Sequence, residues 1–420
     1  MQLTINNSEL FGTVKMPVSK SFGHRILVCA SLSNEPTIIY GKSDSDDILA
    51  TIDCLRKLGA TIKETETGYQ VLPLWQSLNV NALLDCKESG STLRFLMPIV
   101  SALGAQGRFV GKGNLPNRPM DELIDTLNEN GMEINYTMPY ETRGQLQPGK
   151  FRIKGDISSQ FISGLLMGLP LLNDDSYIII KNELVSIDYI NITLDILSKF
   201  GIEIETTKSG YYIKGNQKFI TPKTIKIEGD WSAAANWVVG GAISKQITLC
   251  NLSYPSIQGD SKIVEIIEQT GAKVVINDGN ISISKNELRP INIDCENIID
   301  LVPILCILCA NIDGESILTN LERLRLKESD RLNAMIALLE AIGINCNYDS
   351  KLSALHIIGG NIFGGTTLES YNDHRIVMAG AISAINATNK ITILDAECIN
   401  KSYVEFFEHF IILGGIIDDK

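Results

Sequence analysis

Residues 55–62 read LRKLGATI, and five further stretches share their form: LNENGMEI (127–134), LSKFGIEI (197–204), IEQTGAKV (267–274), LEAIGINC (339–346) and FIILGGII (410–417). Each has an apolar residue, three others, a glycine, two others and a second apolar residue. The glycines are Gly59, Gly131, Gly201, Gly271, Gly343 and Gly414, with spacings of 72, 70, 70, 72 and 71 residues. Chance likeness between αβ junctions would not hold one period so closely over six occurrences. A fixed period of this kind marks a chain built from copies of one unit.

Each copy has a local physical reading. Seven and four residues before the glycine stand Ile52/Leu55, Ile124/Leu127, Leu194/Leu197, Val264/Ile267, Ile336/Leu339 and Phe407/Phe410. That spacing is one face of a helix. The glycine is the helix stop, because a positive φ costs glycine least, and the residues after it read as a strand. Each copy also has an earlier apolar segment: SFGHRILVCASL (21–32), GSTLRFLMPIVSAL (90–103), SQFISGLLMGLPLL (159–172), DWSAAANWVVGGAI (230–243), DLVPILCILCANI (300–312) and DHRIVMAGAISAI (373–385). These are apolar nearly all round and read as buried, inner helices. The helices that end at the repeat glycines are amphipathic, so one side faces water. The class is α/β, with one inner helix, one outer helix and short strands per unit.

Only six residues follow Gly414, whereas the other copies continue much further. Near the start, QLTINN (2–7) and LFGTVK (10–15) look strand-like. The expectation is one domain of residues 1–13 plus 229–420, completed by these N-terminal strands. Residues 14–228 then form the other, and each domain has three units.

A chain of 420 residues exceeds one ordinary core, in keeping with two domains. Its net charge of −12 argues against nucleic acid or an anionic membrane as main partner. Positive charge for an anionic substrate must therefore be local. Met1 to Leu10 is polar and alternating, unlike a signal peptide. The longest apolar stretch, around Leu301 to Ile312, is too short to span a bilayer. The nine cysteines are scattered and odd in number, so no disulfide framework is expected. Cys306 and Cys309 lie inside LVPILCILCA and read as buried thiols rather than a redox or zinc half-site. The chain is expected to be reduced and cytoplasmic.

Polar clusters fall at matching places in the repeat. Lys20-Ser21, Gly90, Ser158-Ser159-Gln160, Asp230, Asp300 and Asp373-His374-Arg375 each open an inner helix. Asp46-Asp47, Arg118, Ser186, Asp260, the run Lys327-Glu328-Ser329-Asp330-Arg331 and Lys401 each open an outer one. Helix N-termini offer unpaired N–H groups and partial positive charge, which suits phosphate and carboxylate. In a buried helix those N–H groups cannot turn to bulk water. Capping is the competing reading, and it is the favoured one for Asp46, Asp230 and Asp260. It does not account for Arg94, Arg118, Arg331, Arg375 and Lys401, placed in or just before first turns where the helix dipole disfavours a cation. A bound anion does, since arginine forks onto carboxylate or phosphate. The repeat thus points to a fold that gathers helix N-termini for binding small anions such as phosphate esters.

These residues, in this order, resemble the 5-enolpyruvylshikimate-3-phosphate synthases (3-phosphoshikimate 1-carboxyvinyltransferases) of the enolpyruvyl transferase family. The resemblance covers nearly the whole chain. Its strongest pieces are VSKSFGHR (18–25), ESGSTLRFL (88–96), NRPMDEL (117–123), ISSQFISGLL (157–166), LRLKESDRL (324–332) and YNDHRIVMAGA (371–381). It implies a two-domain inside-out α/β barrel of six βαβαββ-like units, with inner helices pointing their N-termini at an interdomain cleft. It implies transfer of the enolpyruvyl group of phosphoenolpyruvate to the 5-hydroxyl of shikimate 3-phosphate, by a monomer without metal or organic cofactor.

Carried over position by position, Ser21, Arg25, Ser158, Ser159, Ser186, Asp300 and Lys327 match residues that hold shikimate 3-phosphate. Lys20 and Gln160 match residues touching both substrates. Gly90, Arg118, Arg331, Arg375 and Lys401 match the phosphoenolpyruvate site. Asp300, helped by Lys327, is implied as the base and Glu328 as the acid. The sequence departs from the common pattern at Glu88, His24 and Arg323, where asparagine is frequent. The related UDP-N-acetylglucosamine enolpyruvyl transferases typically carry a reactive cysteine where this chain has GKGNLPNRPM (111–120), which has none. A non-catalytic anion-binding protein would not need Asp300, Lys327 and Glu328. An RNA 3′-phosphate cyclase would need a nucleic-acid surface, which the acidic net charge disfavours.

Overall fold

The computed structural model describes residues 1–277 and 279–418. Among them are twelve α-helices, two per repeat: α1 (Lys20–Leu32), α2 (Asp46–Leu58), α3 (Gly90–Ala102), α4 (Asp121–Asn128), α5 (Ser159–Gly168), α6 (Ile187–Lys199), α7 (Trp231–Ile243), α8 (Ile263–Thr270), α9 (Val302–Ala310), α10 (Arg331–Ala341), α11 (His374–Ala384) and α12 (Phe406–Ile412). The odd-numbered helices are the inner set.

All six repeat glycines have positive φ, from 73° at Gly201 to 118° at Gly59. Gly59 closes α2 with two reversed hydrogen bonds, Gly59 N–H to the Arg56 carbonyl at 3.1 Å and Ala60 N–H to the Leu55 carbonyl at 3.0 Å. The same pair ends α8 at Gly271. These bonds satisfy carbonyls that a helix end leaves open.

The described strands form six four-stranded sheets of one pattern. In the α5/α6 repeat, Lys150–Lys154 runs parallel to Ser176–Lys181 across the inner helix. Ser176–Lys181 pairs antiparallel with Gly210–Ile213, which is antiparallel to Ile204–Thr207. The order along the chain is therefore βαβαββ; the sheets of α3/α4 and α9/α10 repeat it, and the other three keep the same pairing with one strand drawn from a distant segment.

The chain divides into two compact lobes, Met1–Pro17 with Gly229–Lys420, and Val18–Glu228. In the first lobe, Gly12–Lys15 runs parallel to Gln246–Cys250 in the sheet of α7 and α8. Leu3–Asn6 is an interior strand, antiparallel to both Ile391–Ile393 and Ile416–Asp418 in the sheet of α11 and α12. In the second lobe, Thr224–Lys226 closes the sheet of α1 and α2 by running parallel to Thr37–Tyr40. Each lobe has its own apolar core around its three inner helices.

The inner helices are buried along almost their whole length. Their only residues not buried are Lys20, Ser21, Ser91, Gln160, Ser232 and Arg375, all in first turns. On five of the six inner helices, apolar packing leaves only the first turn less than fully buried. Cys306 and Cys309 are fully buried, and burial pushes the Cys309 thiol up to about 12. Among the described residues no helix is long and apolar enough to cross a membrane.

Candidate functional site

In the second lobe, Arg25 lies one turn inside α1 and is 2% exposed. Its Nε donates to Thr193 Oγ1 at 2.7 Å and its Nη1 to the Ser21 carbonyl at 2.8 Å. Nη2 donates to the Tyr189 carbonyl at 3.0 Å and Ser163 Oγ at 3.3 Å. The guanidinium also stacks 4.8 Å from the centre of the Phe95 ring. Burial lowers its pKa to about 10, so it stays protonated near neutrality. All these partners are neutral, so the positive charge under Ser21 is not cancelled by a carboxylate. Lys20, by contrast, meets Asp47 Oδ2 at 2.9 Å.

The α3 and α5 openings interlock. Arg94 donates to Gln160 Oε1 at 2.8 Å and to the Pro119 carbonyl at 3.0 Å, and Gln160 Nε2 donates to Ser91 Oγ at 2.8 Å. The amide is thus held by both ends. Gly90, the first residue of α3, faces Arg118: a Cβ there would lie 2.6 Å from Arg118 Nη1. Glycine leaves room for the guanidinium. Ser158 caps α5 by accepting from Gln160 N–H at 3.3 Å, and Ser159 is buried behind it. Ser186 enters α6 in the left-handed region, φ 55°, with its side chain buried.

The first lobe concentrates charge. Arg331, the first residue of α10, is 1% exposed and is shared by three carboxylates. Its Nε donates to Asp373 Oδ2 at 2.7 Å and its Nη2 to Asp373 Oδ1 at 3.2 Å. Nη1 reaches Asp300 Oδ1 at 2.8 Å, and Nη2 also reaches Glu328 Oε2 at 2.5 Å. Asp300 lies in a short turn, Ile299–Leu301, before α9. Lys327 Nζ is 3.1 Å and Arg375 Nε 3.9 Å from the same Oδ1. Burial alone would raise Asp300, but the charges of Lys327, Arg375 and Arg331 outweigh it and hold the carboxyl well below its usual range. Burial, aided by Arg331 and Arg323, lowers Lys327 against the pull of Asp300. Arg375 donates to the Asp300 carbonyl at 2.9 Å and to Ser232 Oγ at 3.0 Å. Lys401 donates to the Asn372 carbonyl at 2.6 Å.

Several placements differ from the sequence reading. Lys401 ends a 3-10 turn, Ala396–Lys401, and α12 starts only at Phe406, so it is not in an outer first turn. Arg94 lies a full turn inside α3. Asp230 caps α7 as expected, accepting from Ala233 N–H at 2.8 Å. Asp260 caps nothing; it accepts from the Ser232 hydroxyl. Asp373 and Asp47 stand in helix-opening clusters but no partner for them is legible in sequence, and neither Ser232 nor Thr193 stands out there, although Ser232 holds the same second position in its helix as Ser21, Ser91, Gln160 and Arg375.

Comparison with known proteins gives a consistent result. The family model for EPSP synthase (3-phosphoshikimate 1-carboxyvinyltransferase) matches residues 5–410. The 3-phosphoshikimate 1-carboxyvinyltransferase of Clostridium perfringens (strain SM101 / Type A) is 39% identical over the whole of both chains. That of Clostridium acetobutylicum is 40% identical, covering 99% of this chain and 98% of its own. The fold matches EPSP synthase from Acinetobacter baumannii with a TM-score of 0.81 at 24% identity, covering all of both chains. It also matches the enolpyruvyl transferase NikO from Streptomyces tendae with a TM-score of 0.81 at 15% identity, covering 99% of this chain and 98% of that one. The chain belongs to the EPSP synthase (3-phosphoshikimate 1-carboxyvinyltransferase) family.

Proposed function

We propose that the polar groups at and close to the helix openings of both lobes are the substrate-binding and catalytic groups of this enzyme. The reaction is that of the family: the enolpyruvyl group of phosphoenolpyruvate passes to the 5-hydroxyl of shikimate 3-phosphate and phosphate leaves, a step of the shikimate pathway to the aromatic amino acids. In this reading Lys20, Ser21, Arg25, Ser158, Ser159, Gln160, Ser186, Asp300 and Lys327 hold shikimate 3-phosphate. Lys20, Gly90, Arg118, Gln160, Arg331, Arg375 and Lys401 hold phosphoenolpyruvate. The observation that carries it is Asp300, a carboxylate with Lys327, Arg331 and Arg375 all directed at one oxygen.

The chemistry is addition followed by elimination. Asp300 takes the proton of the 5-hydroxyl, and Lys327 at 3.1 Å helps to carry it. The hydroxyl oxygen bonds to C2 of phosphoenolpyruvate while C3 takes a proton from Glu328. The tetrahedral adduct then returns a proton from C3 to Glu328, the C2–O bond breaks with its electron pair leaving on phosphate, which takes up the proton held by Asp300, and the enol ether remains. A carboxylate held ionised by three cations is a ready but weak base. Two phosphate esters, each with about −1.5 to −2 charges, would draw those cations away and raise its proton affinity. The same exchange frees Glu328 from Arg331 for its role as acid. Asp300→Ala should lower kcat by about two to four orders of magnitude while KM for phosphoenolpyruvate changes little. An unchanged kcat would refute the base assignment. The chain as a cytoplasmic monomer is also proposed, and sedimentation and cell fractionation test it.

A further inference from the structure

We propose that Asp260 is a positioning residue for the transfer reaction: through the hydroxyl of Ser232 it holds the Arg375 guanidinium in the orientation that receives its anion. The proposal rests on the reading of Arg375 as a substrate-binding group.

The hydrogen-bond directions carry the argument. Arginine only donates, so the 3.0 Å bond from Arg375 Nη2 makes Ser232 Oγ an acceptor. Serine has one hydroxyl proton, and it goes to Asp260 Oδ2. The carboxylate therefore fixes the hydroxyl rotor, and the rotor presents a lone pair to Arg375. The second anchor is the Asp300 carbonyl, 2.9 Å from Nη1. Two acceptors on the two terminal nitrogens fix the plane of the guanidinium. Removing either removes one of the two bonds that set that plane.

The setting of Asp260 argues against a merely local role. It is 6% exposed, in the turn Gly259–Lys262 leading into α8, and neither the turn nor the helix has a side-chain cap bond. A buried carboxylate is costly unless something uses it. Ser232, its partner, is the only residue of α7 that is not buried. The charged groups that face Asp260 are Arg375 from α11, Asp300 from the turn before α9, and Asp230 at the start of α7. Burial, with the charges of Asp300 and Asp230, outweighs Arg375 and the Ser232 bond and pushes Asp260 up to about 6. The carboxyl is ionised at pH 7.5 and largely protonated at pH 5. Once protonated it is a poorer acceptor, and its own O–H competes for the Ser232 oxygen that Arg375 needs.

The test is Asp260→Asn, with KM for both substrates measured from pH 5 to 8 against the unmodified enzyme. KM for phosphoenolpyruvate should rise about tenfold at pH 7.5, as expected for weakening one hydrogen bond to a charged group. The variant-to-parent ratio cancels titration of the substrate's own phosphate, and it should fall towards one below pH 6. Ser232→Ala should reproduce the rise, and adding Asp260→Asn to it should change little further. A ratio flat with pH, or full additivity with Ser232→Ala, overturns the proposal. Arg375→Lys separates this from the substrate assignment. If it and Asp260→Asn both raise only KM for shikimate 3-phosphate, the relay stands and the ligand of Arg375 was misassigned. If Arg375→Lys raises a KM that Asp260→Asn leaves alone, or moves neither, the relay is wrong.

Discussion

Asp373→Asn is the most informative single change, because it preserves shape and removes only charge and one acceptor. Asp373 is fully buried and meets four donors. Oδ2 accepts from Arg331 Nε at 2.7 Å and Ser329 Oγ at 3.0 Å; Oδ1 accepts from Arg331 Nη2 at 3.2 Å and Arg375 N–H at 3.0 Å. Asparagine must turn its NH2 towards one of these pairs. On one side it meets Arg331 Nε–H and on the other two more N–H groups, so at least one bond to a charged donor is lost. Breaking a buried ion pair from one side costs about 3–5 kcal/mol. Arg331 keeps Asp300 and Glu328, which points to the low end, about 3 kcal/mol. For a lobe of this size each kcal/mol shifts Tm by about 2–4 °C, giving a fall of about 6–12 °C.

Thermal and urea denaturation of the full chain measure the effect, and pH gives its sign. Burial would raise Asp373, and Glu328 adds to that, but Arg331 outweighs both and lowers it below the usual carboxylate range. A depressed folded-state pKa adds stability that is fully present above the unfolded value of about 4, and is lost as pH falls through the folded value. The gap between parent and variant should be complete at pH 7 and close as pH drops below about 4. A fall of less than about 2 °C, or a gap of the same size at both ends of that range, would refute the account of Arg331 as a buried hub.

Two further changes test packing. Gly90→Ala puts a methyl 2.6 Å from Arg118 Nη1; the flexible arginine should yield, and KM for phosphoenolpyruvate should rise about tenfold, or about 1.4 kcal/mol, with KM for shikimate 3-phosphate unchanged. Steady-state kinetics with each substrate varied would decide, and equal shifts in both KM values would point to a general disturbance. Gly59→Ala combines φ 118° with a Cβ placed 2.1 Å from the Ser77 carbonyl oxygen, and should cost about 3 kcal/mol or more by urea denaturation. A neutral result would remove the reason for glycine at that helix stop.

The helix pairs and their stops were readable because they depend on short-range physics. A glycine at positive φ and apolar residues at helical spacing leave a pattern in the sequence whatever surrounds them. Leu3–Asn6 was readable as a strand because it alternates. Thr224–Lys226 was not: three residues at a sheet edge, two of them exposed, carry too little pattern. The openings of the inner helices were readable as places for polar chemistry, since Lys20, Gln160 and Arg375 stand out against apolar neighbours. Their partners were not. Arg331 meets Asp373 across 42 residues of chain, and Arg25 meets Thr193 across 168. Nothing local tells a capping aspartate from one that reaches another helix, which is why Asp260 read as a cap. Lys401 was misplaced because a 3-10 turn and a helical first turn look alike in sequence.

The placement of Leu3–Asn6 has a consequence in time. Its partners, Ile391–Ile393 and Ile416–Asp418, lie at the far end of the chain. During synthesis the first strand to emerge is therefore among the last to be paired. The second lobe is one continuous stretch, Val18–Glu228, and can complete its closing strand while the rest is still being made, as early domains generally do. The first lobe must wait, because joining such distant segments carries the loop-closure entropy of nearly the whole chain. Until then, residues 3–6 are a strand without a sheet, open to wrong pairing, whereas residues 12–15 wait only for Gln246–Cys250. A version of the chain rejoined so that residues 1–17 follow residue 420 would make the pairings of Leu3–Asn6 local. It should refold faster, with the same final sheets.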